Sequence, residues 1–281
     1  MTTITEPGLY PDMPDAIYHA DPVPAGSLSS TFVRLLTNHV PAKAVELRKR
    51  PATAAMTLGK AAHRQALGTG PELIVWQHDG RTKDGKAERA EYADLIASEA
   101  VVAVTEKQRV QILGMTQALR AHPEVVEILE HSEAEVSSFW QEGPIWLRAR
   151  HDLLSDVGAY DYKTCEDCSA RGFSKAMANY GYHQQAEFYQ RGLKALGHPA
   201  GERRMRFICQ ETSAPYLVQI HEPDDEAALI AETQNDRAMR VYAECTRSGV
   251  WPAYPELVAE PTPLPAFYFT DHDPADEMEI A

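Results

Sequence analysis

A predicted β-hairpin between residues 145 and 164 constrains the fold of this chain more than any other feature of its sequence. Residues 145–154 are typical of an apolar strand, and residues 160–164 alternate between two faces as a second strand does. Asp156 and Gly158 lie between the two segments and favour a tight turn. A hairpin requires an antiparallel strand pair, so we expect a sheet at the centre of the fold.

The hairpin also carries charged side chains that can meet on one surface. Asp161 and Lys163 are two residues apart in a strand and therefore point to the same face, whereas Tyr162 points away into a core. The turn brings Asp152 back towards Asp161. Two carboxylates and one ammonium group suit a hard divalent cation and the activation of water. Because acids near lysines are common on exposed strands, a simple salt bridge is the alternative interpretation.

Length and composition predict a soluble globular protein. A chain of 281 residues can hold one large α/β domain or two small ones, and we predict one domain with appendages. No run of about 18 apolar residues could span a membrane, and the N-terminus does not resemble a secretory signal. We predict an irregular N-terminal arm, a single domain with a helical part followed by a catalytic core, and a Pro-rich acidic tail. Their ranges are 1–26, 27–249 (helical part 27–131, core 132–249) and 250–281.

The four cysteines form no recognisable disulfide framework, which favours the reducing cytoplasm. Cys165 and Cys168 make a single Cys-x-x-Cys pair, and zinc or iron-sulfur sites need further soft ligands at short spacing. We therefore expect two free thiols, with no zinc and no iron-sulfur cluster.

The net charge of −14 argues against binding of nucleic acid, because Lys and Arg drive phosphate binding. The charges are unevenly distributed, however. Acids crowd the C-terminal end, while basic residues cluster near the N-terminus, at Lys43, Arg48, Lys49, Arg50, Lys60 and Arg64. This distribution is compatible with a basic groove on an acidic body.

Periodicity and end signals place the other elements. Helices are predicted from Ser27 onwards and over 52–67, 106–121, 169–178, 182–196 and 224–247. Strands are predicted over 135–141, 204–210 and 216–221, in addition to the hairpin. Residues 80–91 are polar and are predicted to form a loop that enters a helix. Tyr10, Ile17 and Tyr18 are expected to anchor the N-terminal arm, and Trp251, Tyr254, Phe267 and Tyr268 the tail.

Three of the predicted helices carry candidate site residues. Hydroxyls at Ser27 and Ser30 can cap the first helix, whose free amides also form an anion site. In the second helix Gly59 lies one turn before His63, and a glycine inside a helix often marks a close approach to the backbone. Gln185 and Tyr189 share one face of a later helix and could hold a nucleotide. In each case there is an alternative without a functional role. In these alternatives Ser27 and Ser30 only cap the helix, His63 is an ordinary core or surface histidine, and Gln185 and Tyr189 only pack on the sheet.

In order along the chain, the elements Gly59-x-x-x-His63, Asp152, Asp161-x-Lys163 and Gln185-x-x-x-Tyr189 resemble the RecB-like branch of the PD-(D/E)xK nuclease superfamily. Within that branch the chain resembles RecE-type phage and prophage exonucleases, known as exonuclease VIII, over about residues 10–255. The supporting stretches are Tyr18-His-Ala, Gly26-Ser-Leu-Ser-Ser, Met56-x-Leu-Gly-x-Ala-Ala-His63 and Tyr182-His-x-Gln185-x-x-x-Tyr189.

The resemblance implies a restriction-endonuclease-like α/β core, with a mixed central sheet flanked by helices and a helical N-terminal region. It implies an Mg²⁺-dependent exodeoxyribonuclease, with Mn²⁺ able to substitute, that digests linear double-stranded DNA from 5′ ends. The remaining 3′ strand would pass to a RecT-type annealing protein. It further implies a homo-oligomer, a tetrameric ring around DNA with basic residues in its channel. A structure-specific or single-strand nuclease, and a DNA-binding recombination scaffold with a vestigial site, are the alternatives.

The resemblance also implies roles for individual residues. Asp152, Asp161 and His63 would bind the metal, together with the backbone carbonyl of Tyr162, and Lys163 would act on the attacking water or on the charged phosphate. Gln185 and Tyr189 would position DNA. Glu135 is a further candidate metal ligand. Ser27, Ser30, Arg34, Arg150 and Thr164 are candidate DNA contacts, with the first three proposed for a 5′-terminal phosphate. The chain departs from the family pattern in having no proline before Asp152 and Asp in place of Glu at position 161.

Overall fold

A computed structural model of the protein describes residues 3–49, 54–98, 100–255 and 263. Within these residues a seven-stranded mixed sheet forms the centre of the molecule, and a separate two-stranded parallel sheet lies in the N-terminal half. The large sheet has the order β1-β5-β6-β7-β8-β9, with β2 beside β6. The strands are β1 (Gly8–Tyr10), β2 (Ser27–Ser29), β3 (Glu72–Val75), β4 (Val101–Val104), β5 (Glu133–Glu142), β6 (Ile145–Ser155), β7 (Gly158–Cys165), β8 (Arg206–Glu211) and β9 (Val218–His221).

Helices cover the sheet. In the part of the chain that is described they are α1 (Asp15–His19), α2 (Ser30–Asn38), α3 (Pro41–Leu47), α4 (Ala54–Leu67), α5 (Lys83–Glu91), α6 (Ala93–Ala97), α7 (Glu106–Arg120), α8 (Pro123–His131), α9 (Ala170–Tyr180), α10 (Tyr182–Ala195) and α11 (Asp225–Ser248). Several begin at side-chain caps, such as Ser169 before α9 and Asp224 before α11. The longest, α11, ends at Gly249 in a left-handed conformation.

The predicted hairpin is present, and its two strands separate near the middle of β6. Antiparallel pairing between β6 and β7 covers Leu153–Ser155, whereas β2 pairs in parallel with β6 at Trp146–Arg148. Between these two stretches, residues 149–152 of β6 have no strand partner on that edge. β7 continues instead as the parallel partner of β8. The sheet therefore forks at residues 149–152, and the fork opens beside Asp152.

Two buried clusters hold helices against the sheet. The larger contains Leu147, Ala149 and Phe207 from strands, packed with side chains of α2, α10 and α11. The second contains Leu153, Tyr160 and Tyr162, packed with Ala62 and Ala66 of α4 and with residues of α7 and α8. Burial of these apolar side chains is the main stabilising contribution, at about 25 cal/mol per Å² removed from water. It places α10 and α4 next to the strands that carry the charged residues.

The N-terminal region is more ordered than the irregular arm that was predicted. Strand β1 pairs antiparallel with β5, and the short helix α1 buries Tyr18. Tyr10 and Tyr18 both contact the ring of Phe139, which confirms their predicted anchoring role. The sequence could not predict β1 as an edge strand. It has only three residues, too few for an alternating apolar and polar pattern, and it depends on its pairing with β5.

Other predicted elements also differ. The first helix starts at Ser30 and not at Ser27, because Ser27–Ser29 pair with β6. The polar residues predicted as a loop over 80–91 contain α5, which is capped by Thr82. Val110 and Leu113 of α7 are apolar but exposed. The sequence prediction omitted α3, α8 and the β3–β4 pair. The remaining helices and strands were placed within a few residues of their observed bounds.

The C-terminal anchors can be assessed only in part. Trp251 packs against Phe32 and Tyr242, as predicted for an anchor, whereas Tyr254 is exposed. Phe267, Tyr268 and the C-terminal acids lie outside the described residues, as does Arg50. None of the described helices combines the length and apolar character needed to cross a membrane.

Candidate active site

Asp152 lies at the fork of the sheet and connects three elements. Its Oδ2 atom accepts a hydrogen bond from the backbone amide of Tyr162 on β7 at 2.9 Å. The same oxygen lies 3.1 Å from Nε2 of His63 on α4. The carboxylate thus satisfies an amide that lacks a main-chain partner where β6 and β7 separate. Position 152 is therefore held from the backbone as well as from the helix.

Glu135 on β5 completes a three-residue group with Asp152 and His63. Its Oε1 atom lies 3.4 Å from His63 Nε2. Glu135 stands across from Asp152 in the β5–β6 register and has a φ of +58°, an uncommon backbone conformation for a residue other than glycine. Arg150 forms an ion pair with the other oxygen of Glu135. This ion pair and the strained backbone together fix the direction of the Glu135 side chain.

The group of His63, Glu135 and Asp152 fits a divalent cation. One ligand atom from each residue lies within 4.8 Å of the other two, and all three residues are partly buried. The two carboxylates match the oxygen donors that Mg²⁺ and Mn²⁺ prefer, whereas an imidazole is more typical of transition-metal sites. Burial would lower the pKa of His63, but Asp152 and then Glu135 outweigh that effect and raise the pKa to about 9. Asp152 and Glu135 therefore stabilise a positive charge at the position of His63.

Asp161 is held in a different way, by Lys163 and Gln185. Lys163 Nζ lies 2.6 Å from Asp161 Oδ2, and the amide of Gln185 on α10 donates to Oδ1. Burial and then the charge of Asp152 raise the pKa of Asp161 to about 6, although Lys163 acts in the opposite direction. Burial acts to lower the pKa of Lys163, but Asp161 and Asp152 outweigh it, so that pKa is raised. Lys163 is therefore a cation at neutral pH.

A cleft of about 330 Å³ contains both acids of the hairpin. Its lining combines residues of α2, the two central strands and the start of α10. They are Ser30, Thr31, Arg34, Asp152, Asp161, Lys163, Gly181, Tyr182, Gln185 and Tyr189. The lining thus combines two carboxylates with a lysine and an arginine. Such a set can hold a metal ion together with a phosphate group.

The predicted metal and catalytic residues lie together around the fork, with one difference. Glu135 joins His63 and Asp152 in the three-residue group, whereas Asp161 is not a member, and its carboxylate contacts Lys163 and Gln185. Asp161 and the carbonyl of Tyr162 stay predictions as metal ligands. The side chain of Tyr162 points into the core, as predicted, and donates to Gln210.

The candidate DNA contacts divide into two groups. Ser30 and Arg34 line the cleft, together with Gln185 and Tyr189. Ser27 does not line the cleft. It is buried, and its hydroxyl donates a hydrogen bond to Asp21 and accepts one from Arg148. The prediction that Ser27 contacts a terminal phosphate is therefore wrong for this structure, because the residue lies in a strand and not at a helix start.

Arg150 and Thr164 are likewise absent from the cleft lining. Arg150 is bonded to Glu135, to the carbonyl of Met13 and to Ser137, and its guanidinium lies over the ring of Tyr18. It supports the candidate metal-binding group and is largely buried. Thr164 instead meets α4: a Cβ at Gly59 would lie 3.4 Å from its hydroxyl. A Cβ at this position would make an ordinary van der Waals contact, so the close approach expected at Gly59 is not confirmed.

Sequence reasoning did not assign roles to three residues at this site. Tyr182 lines the cleft, and Lys163 Nζ lies 5.1 Å from the centre of its ring. Thr31 lines the cleft from α2 and carries no pattern that would have identified it. His151 is buried beside the ring of Tyr189, and burial lowers its pKa to about 3, so it is neutral. The sequence signal that could have identified His151 was its position next to Asp152.

The fold and the site together define a class of protein: a PD-(D/E)xK-type core with a restriction-endonuclease-like sheet. Residues 29–260 match the family described as "PDDEXK-like domain of unknown function (DUF3799)". This match spans most of the sequence, and the chain therefore belongs to that family. A comparison with curated proteins found no match.

Solved structures support the same fold. The chain is similar to the crystal structure of a putative exonuclease from Eubacterium rectale, with a TM-score of 0.57 and 10% identity over 88% of this chain and 93% of that chain. A second structure, that of SSO0001, has a TM-score of 0.28 and 15% identity over 74% of this chain and 99% of that chain, and carries no argument. Family and fold together indicate a nuclease, and nucleases of this superfamily generally use divalent metals.

Proposed function

We propose that the protein is an exodeoxyribonuclease that digests linear double-stranded DNA from its 5′ ends and leaves 3′ single-stranded overhangs for recombination. One observation carries the proposal: Asp152 stands between the His63–Glu135 pair and the Asp161–Lys163 pair. This arrangement supplies metal ligands and a cation next to one cleft. The 5′ polarity and the double-stranded substrate rest on the resemblance to RecE-type exonucleases.

His63, Glu135 and Asp152 would hold the cation, Mg²⁺ with Mn²⁺ able to substitute. A bound divalent cation neutralises phosphate charge and lowers the pKa of water. Asp161 and the Tyr162 carbonyl are further candidate ligands. We propose no zinc and no iron-sulfur cluster as cofactors.

Lys163 would act directly on the reaction. Its ammonium group is a compact charge with three donors, fixed by Asp161 at 2.6 Å. It would orient the attacking water or stabilise the charge that builds up on the phosphate. Attack in line would form a bond from the water oxygen to phosphorus and break the bond to O3′, which takes up a proton. The product would carry a 5′ phosphate.

The charge distribution supports a nucleic-acid substrate despite the net charge of −14. From Ser27 to Pro71, a segment that includes α2 and α4, the sequence has seven Lys or Arg residues and a single acid, Glu46. Most of the 41 acids therefore lie elsewhere. A locally basic surface beside the cleft can attract phosphates even when the whole molecule is acidic.

Ser30 and Arg34 would bind the 5′-terminal phosphate. Both line the cleft, and Arg34 is oriented by a 2.5 Å hydrogen bond to the carbonyl of Tyr180. An arginine beside a hydroxyl is a strong site for a dianionic phosphate. An unchanged preference for 5′-phosphorylated ends in Ser30→Ala and Arg34→Ala variants would contradict this assignment.

Timed digestion of linear duplex DNA, labelled separately at each 5′ and 3′ end, tests the function. With Mg²⁺ we expect release of the 5′ label first, and no cleavage with EDTA. Parallel digestion of a nicked circle and of single-stranded DNA addresses the second candidate, a structure-specific or single-strand nuclease. The small cleft favours this alternative, because its volume is at the low end for pockets that hold one small ligand. Preferential digestion of single strands would replace the primary proposal.

Oligomeric state and partner are also proposals, and they rest on the resemblance. We propose a homo-oligomer, a tetrameric ring around DNA, that passes the 3′ strand to a RecT-type annealing protein in the cytoplasm of a bacterial or phage-infected cell. A DNA-binding scaffold with a vestigial site is the competing reading. The presence of Asp152, Asp161 and Lys163 together argues against it.

A further inference from the structure

Tyr180 is an exposed aromatic residue at the rim of the cleft. It is the last residue of α9, and 58% of its surface is accessible. We propose that the ring of Tyr180 stacks on an unpaired nucleobase of the strand whose phosphate enters the cleft. This inference rests on the proposed function and specifies it further, because it requires that the strand be unpaired at this position.

The backbone at Tyr180 is held rigidly beside the site. Its carbonyl accepts the 2.5 Å hydrogen bond from Arg34, and the next residue, Gly181, has a φ of +67°. A Cβ at Gly181 would lie 2.8 Å from the Arg34 side chain, so the loop and the arginine are packed closely. Because this backbone is already fixed, only the two side-chain torsions of the exposed ring would lose freedom when a ligand binds it.

A second tyrosine connects Tyr180 to the charged floor. The ring of Tyr182 lies 5.7 Å from that of Tyr180, with an interplanar angle of 31°. Tyr182 lines the cleft, and Lys163 Nζ lies 5.1 Å from its ring centre. The three side chains therefore form a series from the ammonium group to solvent. A strand with its phosphate near Lys163 would carry its neighbouring base towards Tyr180.

The local charge distinguishes Tyr180 from other exposed apolar residues. The sequence from Ser169 to Ala186 contains no acid and includes Arg171 and Lys175. By contrast, Leu229 and Ile230 are exposed on α11 among Asp224, Asp225, Glu226 and Glu232. A polyanion can approach the first surface, whereas the second would repel it.

Stacking on an aromatic ring tolerates any base, because every base presents a π-face. A base inside a duplex already has both faces covered by its neighbours. Tyr180 is therefore suited to a strand end from which at least one base pair has opened.

The test compares Tyr180→Ala and Tyr180→Phe with wild type in Mg²⁺, using single-stranded and duplex oligonucleotides. We expect Tyr180→Ala to raise KM about 5- to 150-fold with kcat changed less than about threefold, and Tyr180→Phe to stay near wild type. Tyr254→Ala is the matched control, since it removes another exposed tyrosine. Circular dichroism checks that each variant is folded.

An abasic residue placed in turn at the first three positions of the strand provides the specific readout. At one position it should raise the wild-type KM as much as Tyr180→Ala does, and combining the two should add little. Equal losses for Tyr180→Ala on normal and abasic strands, or no change in KM, would overturn the inference.

The same comparison by fluorescence anisotropy in EDTA uses a labelled single strand and does not depend on cleavage. If wild type cleaves no DNA, the proposed function fails, and the anisotropy result alone then decides the role of Tyr180. A weaker Kd for Tyr180→Ala that is absent with the abasic strand supports stacking. An unchanged Kd contradicts it.

Discussion

Asp152 Oδ2 accepts a 2.9 Å hydrogen bond from the backbone amide of Tyr162, at the point where β6 and β7 stop pairing. The last paired positions are Leu153 and Tyr160, so Asp152 and Asp161 would be the next pair if the hairpin continued. A side-chain carboxylate replaces the missing main-chain partner. The interruption that separates the two strands therefore also fixes the position of a predicted metal ligand.

Metal binding should stabilise the folded protein through the acids at the fork. At a hundredfold excess over its dissociation constant, a ligand specific for the native state adds about 2.7 kcal/mol to the free energy of unfolding. We expect Mg²⁺ or Mn²⁺ to raise the wild-type Tm, and Asp152→Asn and Glu135→Gln to remove most of that increase. Differential scanning calorimetry with and without EDTA measures it. Asp79→Asn, an exposed acid in the loop after β3, should respond as wild type does.

Lys163→Ala should lower the cleavage rate by about 10²- to 10³-fold, the effect of removing one fixed group that stabilises transition-state charge. The variant should still bind DNA within a few fold, because Arg34 and the basic α2–α4 region remain. Single-turnover cleavage and anisotropy separate the two effects. Lys194→Ala on the exposed side of α10 is the control. Full magnesium-dependent cleavage by Lys163→Ala would refute the role given to this residue.

Arg34 and Arg150 should differ in their contribution to DNA binding. Loss of one phosphate contact reduces the slope of log K against log salt by about 0.7 to 0.9. We expect this change for Arg34→Ala, which alters the cleft lining. Arg150→Gln should leave the slope unchanged, because Arg150 is paired with Glu135. Titrations at several salt concentrations provide the slopes, and equal slopes for Arg34→Ala and wild type would exclude a phosphate contact at Arg34.

Gly181→Ala should cost more than backbone strain alone. A left-handed conformation costs a residue other than glycine about 1–2 kcal/mol, and the new Cβ would also press on Arg34 at 2.8 Å. Gly197→Ala is the matched control, since its φ of +69° is similar and nothing lies within 4 Å. Denaturant unfolding should show similar strain in both variants and a further loss in Gly181→Ala. Only Gly181→Ala should weaken DNA binding. If both variants behaved alike, the close contact between Gly181 and Arg34 would have no role in stability or binding.

Much of the fold and the site follows from local patterns. The hairpin, the helices over 106–120, 182–195 and 225–248, and the ends at Gly68 and Gly249 depend on periodicity and on capping, which neighbouring residues determine. The identity of Asp152, Asp161 and Lys163 as the charged group of the site depends on strand alternation and a tight turn. These interactions are short in sequence, so a single sequence contains them.

Long-range pairing determines the remainder. Ser27–Ser29 would cap a helix on local grounds, but they pair with β6, which buries Ser27 and moves the helix start to Ser30. Arg150 has the sequence context of a surface arginine, yet Glu135 of β5, Tyr18 of α1 and Met13 in the loop before α1 surround it. Val110 and Leu113 fit an apolar stripe, but no element covers their face of α7 among the residues that the structure describes.

The sequence by itself determined the helices and strands in which most of the candidate site residues lie, because helix and strand periodicity act over a few residues. Only the tertiary structure decided how they are grouped: Glu135 with His63 and Asp152, and Asp161 with Lys163 and Gln185. The fork between β2 and β7 produces that grouping. Such a fork depends on strands that are distant in sequence competing for one edge of β6, and no local pattern contains that competition.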